Sequence, residues 1–250
     1  MKVGWISDDP AYLGGAELTQ REFRDAAPDD VEIVDCPPGG VVGGLDRYVA
    51  HNVTQYAADD LGEVEQITWY HHDLSPWIHP DVRRLLDERA AHVFCSPIQR
   101  ERYGRDGLCI PPYLNADAYR PSRQVRRNRE GICSIAAWRN PGKGGQALSE
   151  WAQANGPVDV YGPGPLAPQG PGRDYKGEIA PELVAQTLLR YETFVFLPPD
   201  LEPFCRCVAE AWAAGCKLVV NRNIGAAHWI SEKPEAMATA REDFWRVVCA

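Results

Sequence analysis

The chain alternates between short apolar runs, which are typical of buried β-strands, and longer amphipathic segments, which are typical of helices. In the first half the predicted strands are residues 3–6, 31–34, 66–70 and 92–95. The predicted helices of this half are residues 16–26, 48–56, 81–91 and 97–103. Strands that alternate with helices form a parallel sheet with helices on both faces. The alternation therefore predicts an α/β fold.

The same alternation begins again after a polar segment, 121–130, that is rich in arginine. In this second series the predicted strands are residues 131–137, 158–161, 193–197 and 218–220. The predicted helices are residues 145–154, 181–191, 203–214 and 241–248. Residues 162–172 are dense in proline and glycine and are predicted to form a loop.

Two series of strands and helices predict two domains. A chain of 250 residues has room for two domains of roughly 100–150 residues each. We predict two Rossmann-like lobes, parallel sheets with helices on both faces, that face a cleft. The first lobe is residues 1–120, the linker is 121–130 and the second lobe is 131–235; a final helix in 236–250 can cross back to the first lobe.

The charge balance argues against sequence-independent binding to nucleic acid. The chain has 35 acidic and 26 basic residues and a net charge of −9, whereas nucleic-acid binders usually carry a basic surface. Arg123, Arg126, Arg127 and Arg129 form one local basic cluster. We interpret this cluster as a solvated linker between the lobes.

The sequence shows no sign of secretion, membrane insertion or zinc binding. It enters a strand-like run directly after Met1, and no apolar run reaches the roughly 18 residues that span a bilayer. None of the eight cysteines forms a CxxC pair. We therefore expect a cytoplasmic protein whose cysteines are mostly small buried thiols.

Two glutamates, Glu202 and Glu210, flank the start of the predicted helix 203–214, with Pro203 at its first position. At a rise of about 1.5 Å per residue they are spaced by roughly 12 Å, about the length of a sugar plus a diphosphate. The free N–H groups and partial positive charge of a helix N-terminus suit a diphosphate. An ordinary amphipathic helix with Glu210 on its solvent side is the alternative interpretation.

Two cations, Arg139 and Lys143, lie in a glycine-rich segment between a predicted strand and a predicted helix. A diphosphate leaving group gains negative charge as its bond to a sugar breaks. Fixed cations at a strand end would stabilise that charge in the transition state. The alternative interpretation is a basic surface turn.

Two further segments follow predicted strands of the first series. Gly14 and Gly15 allow the backbone to approach a phosphate or a sugar closely, although most such pairs are plain turns. His71, His72 and Asp73 follow the strand 66–70. Adjacent residues of a strand point to opposite faces, so these three are a poor joint set of metal ligands. A structural role for the histidines is the other alternative.

In this order, the segments resemble glycosyltransferases of the GT-B fold, specifically the retaining enzymes of glycosyltransferase family 4. The resemblance covers nearly the whole chain and is firmest over residues 131–230. Weaker matches complete it: Ser96-Pro97-Ile98-Gln99, Tyr119-Arg120-Pro121 and Gly162-Pro163-Gly164-Pro165. The first lobe is shorter than is usual for the family.

The resemblance implies functions for individual residues. It implies donor binding by Gly14, Gly15, Arg139, Lys143, Glu202, Phe204, Cys205, Arg206 and Glu210. It implies catalytic roles for His72, Asp73, Arg139, Lys143 and Glu202. Within these sets, Glu202 contacts the donor sugar, Glu210 binds the ribose hydroxyls, and Arg139 and Lys143 hold the diphosphate. His72 forms a hydrogen bond to the sugar with Asp73 as its helper.

The chain departs from the family at one position of this motif. The family usually has glycine after the phenylalanine, where this chain has Cys205 and Arg206. Arg206 could serve there as a phosphate contact.

The resemblance predicts transfer of a sugar from a nucleotide-diphosphate sugar to an acceptor hydroxyl, with retention and without a metal or a cofactor. The adjacent pairs Asp8-Asp9 and Asp59-Asp60 are not DxD motifs. The alternatives are another GT-B enzyme, either a nucleotide-sugar epimerase or a sugar phosphorylase, and a non-enzymatic nucleotide-sugar-binding module. The acceptor stays open between glycan, protein, lipid, small molecule and modified DNA, and the oligomeric state is not predicted.

Overall fold

The structure, a computed structural model, describes residues 1–8, 14–62, 64–72, 78–120 and 129–250. It divides into two compact units. The first unit is Met1–Tyr113 together with Glu235–Ala250, and the second unit is Leu114–Pro234. Most of the predicted linker, 121–130, lies outside the described residues.

Each unit contains one sheet, and every strand pairing between neighbours is parallel. The strands of the first unit are β1 (Lys2–Ile6), β2 (Glu32–Cys36), β3 (Arg47–Ala50), β4 (Ile67–His71), β5 (Ala90–Phe94) and β6 (Leu108–Cys109). Those of the second unit are β7 (Ile132–Ile135), β8 (Val158–Tyr161), β9 (Arg173–Gly177), β10 (Thr193–Phe196) and β11 (Lys217–Val220). The predicted α/β class with two parallel sheets is confirmed.

Helices connect most of the strands. They are α1 (Gly15–Arg24), α2 (Pro80–Arg89), α3 (Pro97–Tyr103), α4 (Gly145–Asn155), α5 (Val184–Leu188), α6 (Arg206–Ala213), α7 (Gly225–Glu232) and α8 (Ala236–Val248). Within the part of the chain that the structure describes, none of the helices combines the length and the apolar character that crossing a bilayer requires.

The predicted helix at 48–56 is wrong, because this segment begins with the central strand β3. β3 pairs with β1 on one side and with β4 on the other. Tyr48, Val49 and Ala50 are at most 2% exposed, so the strand is buried on both faces. A strand of this kind is a short continuous apolar run without alternation, which periodicity does not separate from a helix.

Two other elements differ from the sequence prediction. Arg173–Gly177 form the edge strand β9, which is not among the predicted strands. Its sequence, RDYKG, has no apolar run, because an edge strand is largely solvated. Gly225–Glu232 form the helix α7, which is not among the predicted helices.

The helix α8 belongs to the core of the first unit. The ring of Phe244 stacks on that of Phe23, with centroids 4.3 Å apart and planes at 2°. The indole Nε1 of Trp245 donates a hydrogen bond of 2.7 Å to the carbonyl oxygen of Phe23. Both aromatic residues of α8 are buried, so the helix completes the hydrophobic core of the unit that contains α1.

The order of the strands shows where each sheet can bind a ligand. The orders are β2-β1-β3-β4-β5-β6 and β11-β10-β7-β8-β9. The direction in which strands are added reverses between β1 and β3 in the first sheet and between β7 and β10 in the second. In doubly wound sheets ligands bind beyond the carboxyl ends of the strands at this switch point. The segments after these four strands are therefore the candidate binding segments.

Candidate active site

An ion pair between Lys143 and Glu202 lies at the switch point of the second unit. Lys143 follows β7 and Glu202 follows β10, and these two strands are neighbours in the sheet. The distance between Lys143 Nζ and Glu202 Oε2 is 2.6 Å, although the residues are 59 positions apart in sequence. Their side chains are 23% and 19% exposed. The fold thus brings together two residues that the sequence predicted to act on one ligand.

The surroundings of Lys143 keep its side chain charged. Burial lowers the pKa of the Lys143 ammonium, whereas the charge of Glu202, the hydrogen bond to it and smaller contributions of Cys205 and Cys207 raise it, and the pKa lies above its ordinary value. A charged ammonium has three N–H donors and uses one for Glu202. The remaining donors can bind further oxygen atoms, such as those of a phosphate.

A tight packing of two segments fixes the position of Lys143. The turn Pro141–Lys143 ends at Gly144, which has a φ of +79° and lies against the segment after β10. A Cβ atom at this position would be 2.2 Å from the carbonyl oxygen of Leu197. Asn140 Oδ1 accepts a hydrogen bond of 2.7 Å from the N–H of Gly142 and closes the turn.

Arg139 lies on the same segment after β7 but is far more exposed than Lys143. Its side chain is 61% exposed, and one guanidinium nitrogen is 3.9 Å from Glu178 Oε1. Gly164, with a φ of +124°, packs on its backbone, where a Cβ would be 2.5 Å from the Arg139 nitrogen. This exposure allows the guanidinium to reach a ligand at the surface of the second unit.

Backbone pairing holds Glu202 in place. The Glu202 N–H donates to the carbonyl of Asn223 at 2.8 Å, and the Gly225 N–H donates to the carbonyl of Glu202 at 3.0 Å. These bonds form an isolated parallel bridge between Glu202 and Ile224. The Asn223 amide also donates to the carbonyl of Pro199 at 2.9 Å. Glu202 is therefore fixed by the segment before α7, which the sequence did not indicate.

The helix next to Glu202 begins later than predicted. α6 starts at Arg206, so Pro203 is not its first residue. Cys205 precedes the helix with a φ of +66°, in the left-handed region that favours glycine. Phe204 is 6% exposed and accepts a backbone hydrogen bond of 2.7 Å from Ala226. The chain thus keeps the backbone conformation of a glycine at a position where it has a cysteine.

Glu210, the second glutamate of the motif, is buried and already has two hydrogen-bond donors. Its side chain is 7% exposed. Its Oε1 atom accepts from Arg206 Nε at 3.0 Å and from the hydroxyl of Tyr119 at 3.0 Å. Burial, and then the charge of Glu210, raise the pKa of the Tyr119 hydroxyl, so it remains a donor. Sequence reasoning noticed Tyr119 only as part of a weaker match and missed this contact.

Polar groups also surround the switch point of the first unit. Glu17 Oε2 accepts a hydrogen bond of 2.9 Å from the N–H of Gly14, which closes the start of α1. Asp8, two residues after β1, accepts hydrogen bonds from the N–H groups of Thr54 and Gln55 at 2.8 and 2.9 Å. Gly15 is the first residue of α1. The carboxylate of Asp8 therefore ties the segment after β1 to the segment after β3.

His72 contacts a buried histidine that sequence reasoning did not consider. His72 Nε2 is 2.9 Å from Nδ1 of His51, and the ring centroids are 3.8 Å apart. His51 follows β3 and is 3% exposed. Burial lowers the pKa of both histidines, that of His51 with a further contribution from His72, so both are neutral at pH 7. Asp73, the predicted helper of His72, lies outside the described residues.

His71 has a different environment from His72. Its Nε2 atom is 2.9 Å from Nδ1 of His92, and its ring stacks on Phe94 with centroids 4.5 Å apart. The two adjacent histidines therefore have separate partners, as the alternation of a strand requires. Among the described residues, no group of three or more His, Cys, Asp and Glu side chains is placed to hold a metal ion.

No protein-family model and no curated protein matches the chain. Solved structures do match the chain. HepE from Anabaena in complex with UDP has a TM-score of 0.68 at 15% identity, over 97% of this chain and 89% of that one. AviGT4, a glycosyltransferase involved in avilamycin A biosynthesis, has a TM-score of 0.65 at 17% identity, over 100% and 88%. The lipopolysaccharide outer core galactosyltransferase WaaB has a TM-score of 0.59 at 12% identity, over 100% and 90%.

At these identities the likeness concerns the fold. The chain has the α/β architecture of these proteins, which is the fold class that the sequence predicted as GT-B.

Proposed function

We propose that this protein is a glycosyltransferase that transfers a sugar from a nucleotide-diphosphate sugar to an acceptor hydroxyl. The observation that carries the proposal is the Lys143–Glu202 pair at the switch point of the second sheet, in the unit that also holds Arg139 and Glu210. The structures of HepE with UDP and with UDP-glucose support a donor of this class.

In the proposed reaction, the bond between the anomeric carbon of the sugar and the diphosphate oxygen breaks, and its electron pair leaves with the diphosphate. The acceptor oxygen forms a bond to the same carbon, and its proton passes to the departing diphosphate. Lys143 and Arg139 stabilise the charge that develops on the diphosphate, in place of a metal ion. Glu202 binds the sugar, and Glu210 binds the ribose. The reaction needs no cofactor and retains the anomeric configuration.

The proposal also gives donor-binding and catalytic roles to residues of the first unit. The Gly14–Gly15 turn lets the backbone approach a bound sugar, and His72, with Asp73, forms a hydrogen bond to it. Because His72 is neutral, its ring offers one N–H donor and one acceptor nitrogen. The contact with His51 uses Nε2, which leaves Nδ1 for a ligand.

Thermal-shift measurements with UDP-, GDP- and ADP-sugars test the donor class, because a bound ligand raises the melting temperature. Turnover is then measured, as release of the nucleoside diphosphate, with the donor that raises the melting temperature of the protein most. We expect Lys143→Ala to lower turnover by about 100-fold or more, the usual effect of a lost charge contact in the transition state. Lys176→Ala is the matched control, since Lys176 is a lysine of the same unit that pairs with Asp159.

If Lys143→Ala turned over the donor at the rate of the parent protein, Lys143 would not stabilise the charge on the diphosphate. A failure of every nucleotide sugar to stabilise the protein would contradict the proposed function itself.

A non-enzymatic nucleotide-sugar-binding module is the second candidate. Cys205 favours it, because a side chain at this left-handed position limits how closely a donor can approach the backbone. Product masses separate the candidates: a transferase yields a glycosylated acceptor or free sugar, an epimerase an isomeric nucleotide sugar, a phosphorylase a sugar phosphate, and a module no product.

A further inference from the structure

The two hydrogen bonds that Glu210 accepts converge on one of its carboxylate oxygens. Arg206 Nε and the Tyr119 hydroxyl both donate to Oε1, each at 3.0 Å. Among the described residues, none donates to Oε2. The carboxylate is therefore held through one of its oxygens, and the second oxygen has no donor among the described residues.

The two donors come from different parts of the second unit. Arg206 lies one turn before Glu210 on α6, in an i,i+4 pair. Tyr119 ends the turn Ala116–Tyr119 and is 91 positions away from Glu210. A buried carboxylate needs such donors, because burial without them disfavours its charged form. Donors from two directions also fix the plane of the carboxylate, which one donor on the same helix would not.

We infer that Tyr119 is a positioning residue for ribose recognition: with Arg206 it holds Glu210 so that Oε2 accepts the ribose hydroxyls of the donor. The inference rests on the proposed function. A side chain that is already ordered loses less conformational freedom when a ligand binds, so the hydrogen bonds to ribose contribute more of their strength to affinity.

Tyr119→Phe tests this inference, because it keeps the ring and removes only the hydroxyl. Binding of UDP, GDP and ADP is measured by calorimetry, and the tightest of the three is compared with its 2′,3′-dideoxy counterpart, which lacks both ribose hydroxyls. For the parent protein we expect a preference for the ribose form. Tyr119→Phe should weaken binding of the ribose form about tenfold, the size of one hydrogen bond to a charged group, and leave the dideoxy form unchanged.

Tyr191→Phe is the matched control. The hydroxyl of Tyr191 also donates to a carboxylate of the second unit, Asp159 Oδ2, at 2.6 Å. Tyr191 precedes β10, so it lies at the amino end of that strand and not at the switch point. Loss of the Tyr191 hydroxyl should leave the ratio of the affinities for the ribose and dideoxy forms unchanged.

In turnover assays, Tyr119→Phe should raise the KM for the donor and leave kcat nearly unchanged.

A second comparison separates positioning from a general loss of structure. In the Glu210→Gln background, Tyr119→Phe should have no further effect on ribose preference, since it acts through the carboxylate. Additive effects would show that Tyr119 acts elsewhere. A parent protein that prefers the ribose form and a Tyr119→Phe variant with an equal or stronger preference would overturn the inference and leave the proposed function standing. A parent protein that binds none of the three nucleotides would overturn both.

Discussion

At the scale of single residues, Gly144 shows how closely the candidate site is packed. Its φ of +79° disfavours any residue with a Cβ, and a Cβ there would be 2.2 Å from the carbonyl oxygen of Leu197. The first effect is conformational and the second is steric. Because Gly144 follows Lys143 directly, a shift that relieves the clash also moves the Lys143 ammonium away from Glu202.

We therefore expect Gly144→Ala to lower the free energy of unfolding by about 2–4 kcal/mol, the sum of a left-handed alanine and an overpacked contact. Gly104→Ala is the control, because Gly104 has a φ of +75° but a Cβ at its position would have no atom within 4 Å. Gly104→Ala should lower the free energy of unfolding by only about 1 kcal/mol. Urea unfolding measures the free energy of unfolding of both variants and of the parent protein. Equal losses would mean that the steric contact with Leu197 has no energetic weight.

The sequence could nominate Lys143, Glu202 and Glu210 as candidate site residues, because each lies in a local pattern that has a chemical meaning. It could not identify Tyr119 or His51 as neighbours of site residues. The contact between Tyr119 and Glu210 joins residues 91 positions apart, and no spacing rule links them. Such a contact depends on how the elements pack, which a single sequence does not encode in any local pattern.

At the scale of elements, Arg129 joins two helices of the second unit at their C-terminal ends. Its guanidinium donates to the carbonyls of Leu189 and Leu188, after and at the end of α5, at 3.0 and 3.3 Å. It also donates to the carbonyl of Ala214, after α6, at 2.6 Å. The last carbonyls of a helix have no partner within the helix and carry partial negative charge. One planar side chain thus satisfies carbonyls of both helices.

Arg129→Lys should therefore destabilise the protein by about 1–3 kcal/mol, because an ammonium cannot reach the carbonyls of both helices in the same geometry. Arg222→Lys, at an exposed position of the same unit, is the control and should stay within about 0.5 kcal/mol. Thermal unfolding compares the two variants with the parent. A melting temperature of Arg129→Lys equal to that of Arg222→Lys would contradict this role.

The strands and helices also show where sequence patterns suffice to predict secondary structure and where they do not. β8 was predicted with the bounds that it has, because Val158, Val160 and Tyr161 form a short, mostly apolar segment that Gly156 and Pro157 precede and Gly162 follows. β3 was mistaken for a helix, because a strand buried on both faces loses the alternation that marks a strand. The start of α6 was placed too early, because Pro203 suits a first helical position but Cys205 interrupts the helix with its positive φ.

At the scale of the whole molecule, the buried histidines make stability depend on pH. Burial lowers the pKa of His51, with a contribution from His72. It also lowers the pKa of His71, with contributions from His92, His72 and Arg83. In the unfolded chain these groups have a pKa of about 6.5. Below that pH the unfolded state binds more protons than the folded state, so stability is present above pH 6.5 and is lost as the pH falls.

His71→Phe tests this dependence at a histidine to which the proposed function gives no role. His71 is fully buried, its ring packs on Trp69 and Phe94, and its Nδ1 has no hydrogen-bond partner among the described residues. Phenylalanine can keep these ring contacts, loses the hydrogen bond to His92 and cannot be protonated. Because each such histidine contributes up to about 1.4 kcal/mol per pH unit, urea unfolding between pH 5 and 6.5 should show a shallower loss of stability in the variant than in the parent. Equal slopes would mean that His71 is protonated in the folded protein as readily as in the unfolded chain, which its burial opposes.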